Sequence, residues 1–160
     1  MNKIEKILAC IDFSEYSAMT LDYALELAQG GRIPIVVLNI INQKDIYAVE
    51  KLSCYFPNKV KVEDFVDGMR KDRLQKMQAM INDLPLDKQA LLHIQIDTGI
   101  PYECILKAVE TQAADLVVMA NKGRGNMSRV LFGSAAEKVF RHSPVPVVSV
   151  RDRKKFKRER

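Results

Sequence analysis

The chain contains no tryptophan, two histidines and three cysteines among its 160 residues. The histidines, His93 and His142, are far apart, and no Cys/His spacing fits a zinc site, so a histidine-based metal centre is not expected. Cys10, Cys54 and Cys104 are odd in number, form no C-x-x-C motif and lie beside apolar residues. We therefore expect buried, reduced thiols in a cytoplasmic protein.

Long apolar runs are also missing. No stretch approaches the roughly 18 apolar residues that a membrane-spanning helix needs. The apolar stretch near the N-terminus is stopped by Asp12, which leaves it too short for the apolar region of a signal peptide. The sequence therefore predicts a chain without a membrane span.

Positive charge is concentrated in the last ten residues. Residues 151–160 hold seven basic and two acidic side chains, which accounts for the whole formal net charge of +5. We expect one domain over residues 1–150, followed by a disordered, basic tail over 151–160. The alternative is a tail that contacts RNA, an anionic lipid or an acidic partner. Phe156 is the only aromatic residue of the tail, so an interleaved stacking platform for nucleic acid is absent.

Short apolar runs alternate with longer amphipathic patterns. The runs predict strands over Ile7–Ile11, Pro34–Ile41, Leu91–Asp97, Asp115–Ala120 and Pro144–Val150. Continuous apolar strands are typical of a parallel sheet that is covered on both faces. The alternation therefore predicts an α/β protein, a single doubly wound domain with a five-stranded parallel sheet flanked by helices. Pro144 and Pro146 favour an outer position for the last strand.

Helices are predicted between these strands. The spacing of apolar residues indicates helices over Ala18–Ala28, Val60–Leu84, Tyr102–Ala114 and Ser134–His142. Ser134 and Glu137 have the spacing of a capping box, which predicts Ser134 as the N-cap of its helix. Gln43–Asn58 has a mixed pattern that defines no element.

The segment from Met119 to Ser134 carries most of the chemistry that the sequence suggests. It leaves a predicted strand, contains three glycines and three basic residues, and enters a predicted helix. Backbone N–H groups of such a loop, with a helix N-terminus behind them, form an anion site. The segment is neither a Walker A motif nor a dinucleotide G-x-G-x-x-G. The alternative is a surface loop whose glycines serve turns.

Three stretches of the chain resemble the universal stress protein (UspA-like) family. They are Ile7–Glu15, Val36–Ile41 and the long stretch from Ala114 to Val147. ATP-binding members of that family carry G-x-x-G, nine residues and then G-[S/T]. Gly123 and Gly133-Ser134 match this motif, whereas Ala120 occupies the position of the first glycine. The resemblance implies a Rossmann-like, adenine nucleotide alpha hydrolase-like fold.

The resemblance also implies which residues bind the nucleoside. Asp12 would contact the ribose or the adenine edge, and Ile40 would offer its main chain to the adenine. Ala120 would lie under the ribose.

On the phosphate side, the resemblance implies contacts from the glycine-rich segment. Gly123, Gly133 and Ala135 would bring backbone N–H groups to the phosphates. Ser134 would add its hydroxyl to its N–H group, and Arg124 would reach a phosphate.

The first functional hypothesis is a cytoplasmic, ATP-binding stress-response regulator. Magnesium would be bound to the triphosphate. At most slow hydrolysis is expected, because the sequence has no Walker B carboxylate and no paired general base. The alternatives are a nucleotide-free dimeric interaction module, in which Ala120 marks the loss of ATP binding, and an adenylyl-transfer enzyme, for which no motif is found.

The resemblance further implies a homodimer formed through the last strand. Val145, Val147 and Val150 give this expectation a physical basis, since an unpaired apolar edge tends to find a partner.

Overall fold

Strands and helices alternate along the chain. The computed structural model describes residues 3–28, 32–57, 59, 61–121 and 133–152. The strands are β1 (Ile7–Cys10), β2 (Ile35–Asn42), β3 (Leu92–Gly99), β4 (Leu116–Ala120) and β5 (Val147–Val150). The helices are α1 (Ser17–Ala28), α2 (Gln43–Tyr55), α3 (Val62–Asn82), α4 (Leu86–Gln89), α5 (Pro101–Thr111) and α6 (Ser134–His142). The predicted five-stranded parallel sheet with flanking helices is confirmed.

The strands lie in the order β3-β2-β1-β4-β5, and every neighbouring pair is parallel. β1 is central, because Ile7 is in register with both Ile35 of β2 and Leu116 of β4. The chain therefore builds outward from β1 on one side and then crosses to the other. The reversal of direction leaves a crevice beyond the carboxyl ends of β1 and β4, where open α/β sheets bind their ligands.

Helices cover both faces of the sheet. On one side, which we call the α1/α3 face, Ala9 belongs to the same buried cluster as Leu21 of α1 and Met77 of α3. On the other, the α5/α6 face, Leu8 is buried in one cluster with Ile105 of α5 and with residues of α6. Burial on both sides explains why the strands are apolar almost throughout.

Two predictions about helices need correction. The mixed segment Gln43–Asn58 contains a helix, α2, whose N-cap Asn42 accepts a hydrogen bond from the Lys44 N–H at 3.0 Å. The predicted capping box is wrong, because the N-cap of α6 is Gly133, with an extended backbone. Ser134 already has helical geometry, and no side chain caps α6.

The thiols also differ in part from expectation. Cys10 and Cys104 are partly buried, but Cys54 is exposed, because α2 buries only Ile46 and Val49.

The outer position predicted for the last strand is confirmed, and the strand begins at Val147, after Val145. Val150 is buried in the cluster of the α1/α3 face, so its side chain is not available at the edge. The predicted basic tail falls mostly on residues 153–160, which lie outside the described residues. Within the part of the chain that the structure describes, no helix is both long and apolar enough to cross a membrane.

Candidate functional site

A pocket of about 360 Å³ opens beyond the carboxyl ends of β1, β2 and β4. Its volume lies in the range of small-molecule sites. Six of the eight residues expected at the site line it, namely Asp12, Ile40, Ala120, Gly133, Ser134 and Ala135. The other two, Gly123 and Arg124, lie outside the described residues. The fold thus gathers into one pocket residues that are more than a hundred positions apart in sequence.

Asp12 is oriented by the turn that follows β1. Its Oδ1 accepts a hydrogen bond from the Ser14 N–H at 3.0 Å and a longer one from the Ser17 hydroxyl at 3.4 Å. The Asp12 N–H in turn donates to the Ser17 hydroxyl oxygen at 3.3 Å. These contacts fix the carboxylate at the rim of the pocket, beside the start of α1.

Phe13, the next residue, has a left-handed backbone with φ of 60°. That conformation costs a bulky residue about 1–2 kcal/mol and persists where the surrounding contacts enforce it. The Phe13 side chain packs against the cluster of the α1/α3 face, and Lys76 Nζ lies 5.9 Å from its ring centre. The backbone strain is thus held directly beside the candidate site.

Ile40, near the end of β2, has its carbonyl group held by a residue that the sequence analysis missed. Arg73 Nη1, from α3, donates to the Ile40 carbonyl at 2.7 Å and to Asn39 Oδ1 at 2.6 Å. The signal that would have revealed Arg73 is its place in the buried stripe of α3, at a spacing of four from Met77 and then Ile81.

The N-terminus of α6 forms another wall of the pocket. No side chain caps it, and Gly133, Ser134, Ala135 and Ala136 all line the pocket. The first N–H groups of a helix lack partners within the helix, and the helix dipole places partial positive charge there. This end of the pocket therefore favours an anion.

Ala120 does not depart from its neighbours in backbone conformation. It is the last residue of β4 and is in register with Val150. The described non-glycine residues with positive φ are Phe13, Arg32 and Ala113, so position 120 requires no glycine for conformational reasons. Any effect of alanine there comes from the space its methyl group takes.

Cys10 also lines the pocket, and burial raises the pKa of its thiol to about 12. The thiol is therefore protonated at physiological pH and is neither a nucleophile nor a ready metal ligand. Among the described residues, no cluster of three or more His, Cys, Asp or Glu side chains could hold a metal ion.

The fold and the pocket together define a class: a Rossmann-like α/β protein with a pocket at the switch point of its sheet. The universal stress protein family model matches residues 3–151. The chain therefore belongs to the universal stress protein family.

The chain is similar to universal stress protein MJ0577 of Methanocaldococcus jannaschii in both sequence and structure. The two sequences are 25% identical over 158 residues, which cover 92% of this chain and 94% of that protein. The solved structure of MJ0577 superposes with a TM-score of 0.77 and covers 92% of this chain and 95% of the other.

Two further solved structures contain adenine nucleotides. A universal stress protein in complex with cAMP has a TM-score of 0.59 at 16% identity, and covers 93% of this chain and 98% of its own. The universal stress protein of Archaeoglobus fulgidus in complex with dAMP has a TM-score of 0.55 at 15% identity, and covers 94% of this chain and 100% of its own.

Proposed function

We propose that this protein binds an adenine nucleotide, ATP with magnesium, in the pocket beyond the carboxyl ends of β1, β2 and β4, and acts as a cytoplasmic regulatory protein. The observation that carries the proposal is the uncapped N-terminus of α6, which opens into a pocket that also contains Asp12 and Ile40. The start of α6, which favours an anion, and the ends of β1 and β2 thus line one cavity. The cAMP and dAMP complexes of two relatives support the choice of an adenine nucleotide.

The residues present fit such a ligand. Asp12 offers a carboxylate acceptor to ribose hydroxyls or to the adenine edge, and the main chain of Ile40 offers hydrogen bonds to the base. The N–H groups that open α6, with the Ser134 hydroxyl, offer donors to phosphate oxygens. By resemblance to the family, Gly123 and Arg124 would add contacts to the phosphates. Magnesium would be held mainly by phosphate oxygens and water.

The described lining of the pocket favours binding over rapid hydrolysis. Asp12 is its only carboxylate, and Cys10 is protonated at physiological pH. The described residues of the phosphate end, from Gly133 to Ala136, contain no general base. We therefore infer that any hydrolysis of bound ATP is slow.

A second candidate function is a nucleotide-free dimeric module. It rests on Ala120 in place of the first motif glycine and on the outer edge of β5. We propose dimerisation through that edge under either function. On the other outer strand one outward carbonyl is already engaged, because Arg70 of α3 donates to the Ile96 carbonyl of β3 at 2.7 Å. A strand edge blocked in this way is a poor template for pairing.

The two functions are separated by testing the purified protein for nucleotide. Heat extraction should release an adenine nucleotide. Calorimetric titration of a separate, nucleotide-free sample of the folded protein should show ATP binding. A protein that retains no nucleotide and does not bind millimolar ATP would favour the nucleotide-free module.

The substitution Ala135→Asp tests where the phosphates bind. A carboxylate in the first turn of α6 stabilises the helix through its dipole but repels a triphosphate at the same end. We expect the Kd for ATP to rise by roughly tenfold or more, since like charges a few ångströms apart near a protein surface repel by more than 1 kcal/mol.

Ala135→Asn is the matched control, because it has nearly the same shape without the charge. Adenosine, which lacks phosphates, should bind both variants equally. Equal weakening of ATP and adenosine by Ala135→Asp would place the phosphates elsewhere.

A further inference from the structure

Arg73 is almost completely buried. It is 4% exposed and lies on α3, in the stripe that also buries Met77 and Ile81. Arginine is seldom buried to this extent without a specific set of acceptors. The burial of Arg73 therefore indicates that its hydrogen bonds have a specific role in the fold.

The described contacts form a chain of hydrogen bonds from α3 to two strand ends. Arg73 Nη1 donates to Asn39 Oδ1 at 2.6 Å and to the Ile40 carbonyl at 2.7 Å. Asn39, which is fully buried, donates through Nδ2 to the Ile11 carbonyl at 2.8 Å. One guanidinium group thus holds the main chain of β2 directly and the residue before Asp12 through Asn39.

The sheet register explains why the Ile40 carbonyl needs a side-chain partner. The Ile7 N–H donates to the Pro34 carbonyl and the Ile11 N–H to the Leu38 carbonyl, so every second carbonyl of β2 faces β1. The Ile40 carbonyl is the next in this series. It lies beyond Cys10, where β1 ends, and it accepts a hydrogen bond from Arg73 Nη1.

A second contact joins the same helix to the same loop. Lys76, three residues after Arg73, places its ammonium group 5.9 Å from the centre of the Phe13 ring. Residues 11 and 13, on either side of Asp12, are thus both tied to α3. Arg73 and Lys76 are one turn apart, so a shift of α3 would be transmitted to both.

We propose that Arg73 is a positioning residue for the nucleoside side of the pocket. It holds the ends of β1 and β2 in the arrangement that presents Asp12 and the Ile40 main chain. The ligand part of this inference rests on the proposed nucleotide binding, whereas the effect on the strand ends does not. A planar guanidinium suits this position because one weakly hydrated group serves two acceptors, which a lysine ammonium does less well.

The test compares Arg73→Lys and Arg73→Met with the matched controls Arg70→Lys and Arg70→Met. Arg70 lies on the same helix and also donates to a strand carbonyl, but on the outer strand β3. Amide hydrogen exchange without nucleotide should speed up at residues 11–14 and 40–42 in the Arg73 variants. The increase should be smaller for lysine than for methionine, and the Arg70 variants should leave both segments unchanged.

Nucleotide affinity supplies a second measurement. Arg73→Met should raise the Kd for ATP and for AMP by the same factor, roughly tenfold, as expected for loss of a charged hydrogen-bond donor. An equal factor is expected because the two ligands share a nucleoside and differ only in phosphates.

Three results would overturn the proposal. One is a folded Arg73→Met protein whose exchange at 11–14 and 40–42 matches the wild type. Another is faster exchange spread evenly over the whole sheet, which would mean a general structural role. If Arg73→Met does not fold, unchanged local exchange in Arg73→Lys overturns it as well. If the wild type binds no nucleotide, the proposed function is wrong. Faster local exchange in the Arg73 variants would then still support the positioning effect.

Discussion

At the scale of single residues, Ala120 decides how the family motif is interpreted. Along β4, Leu116 and Val118 belong to the cluster of the α1/α3 face, whereas Val117 and Met119 belong to that of the α5/α6 face. Side chains alternate along a strand, so the Ala120 methyl group lies on the α1/α3 side, opposite to Met119. The strand conformation of residue 120 and this placement both give alanine a position without strain.

The substitution Ala120→Gly should therefore change binding little. We expect the Kd for ATP to stay within about threefold of the wild type, while the free energy of unfolding falls by about 0.5–1 kcal/mol because glycine loses more conformational freedom on folding. Calorimetric titration and urea unfolding measure the two quantities. A large gain in affinity would show that the methyl group obstructs the ligand.

The residues of the site divide into those that the sequence predicts and those that it does not. Asp12 follows β1, Ile40 lies near the end of β2 and Gly133 precedes α6. Parallel strands bring such positions to one edge of a sheet. Arg73 could not be assigned in this way. Its acceptor Asn39 is 34 positions away, and only the packing of α3 on the sheet brings the two together. Local patterns find residues at element ends but not the long-range partners that hold them.

At the scale of elements, the start of α6 shows what a one-residue shift changes. The sequence predicts Ser134 as the N-cap, yet the cap is Gly133, whose N–H donates to the Asn121 carbonyl at 2.8 Å. That bond to the end of β4 fixes Gly133 in an extended conformation, so the helix begins with Ser134. The result is a helix end without a side-chain cap, and its first residues line the pocket. α2 was missed because it buries only two residues, too few for a clear apolar stripe.

A comparison of two helix starts tests this assignment. Ser134→Ala should alter the free energy of unfolding by less than about 0.5 kcal/mol, because its hydroxyl caps nothing. Asn42→Ala, which removes the side-chain cap of α2, should cost about 1 kcal/mol. Thermal and urea unfolding of the nucleotide-free proteins give both values. A loss of about 1 kcal/mol for Ser134→Ala would instead support Ser134 as the N-cap of α6.

At the scale of the whole molecule, the sheet has two outer strands with different surroundings. The outward carbonyl of Ile96 on β3 accepts from Arg70, while β5 presents a four-residue edge. The Val117 N–H donates to the Pro146 carbonyl and the Asn121 N–H to the Val150 carbonyl. Val147 and Ser149, at the alternate positions, therefore direct their main-chain groups outward. These are the groups that a second copy of the chain would pair with in the proposed dimer.

The substitution Ser149→Pro tests the dimer. Proline removes an outward N–H group without removing a hydrogen bond to β4, and proline is tolerated on edge strands. The Ser149 hydroxyl has no hydrogen-bond partner among the described residues, so its loss costs little. We expect the variant to stay folded and to sediment as a monomer at concentrations where the wild type is a dimer.

Ser149→Val is the control, because it keeps the N–H group and should remain dimeric. A dimeric Ser149→Pro protein would place the interface elsewhere.

The central place of β1 also sets the order in which the molecule can be completed during synthesis. β1, β2 and β3 leave the ribosome first and can pair with one another, but the second edge of β1 waits for β4, more than a hundred residues later. At the amino ends of these two strands, Asp115 accepts hydrogen bonds from the Glu5 and Lys6 N–H groups at 2.8 and 3.0 Å. The pocket lies at the opposite, carboxyl end of the β1–β4 pair, and α6, which forms one of its walls, follows β4 in the chain. A nascent chain therefore has no complete pocket until α6 has been made, so a nucleotide bound there stabilises the fold only after that point.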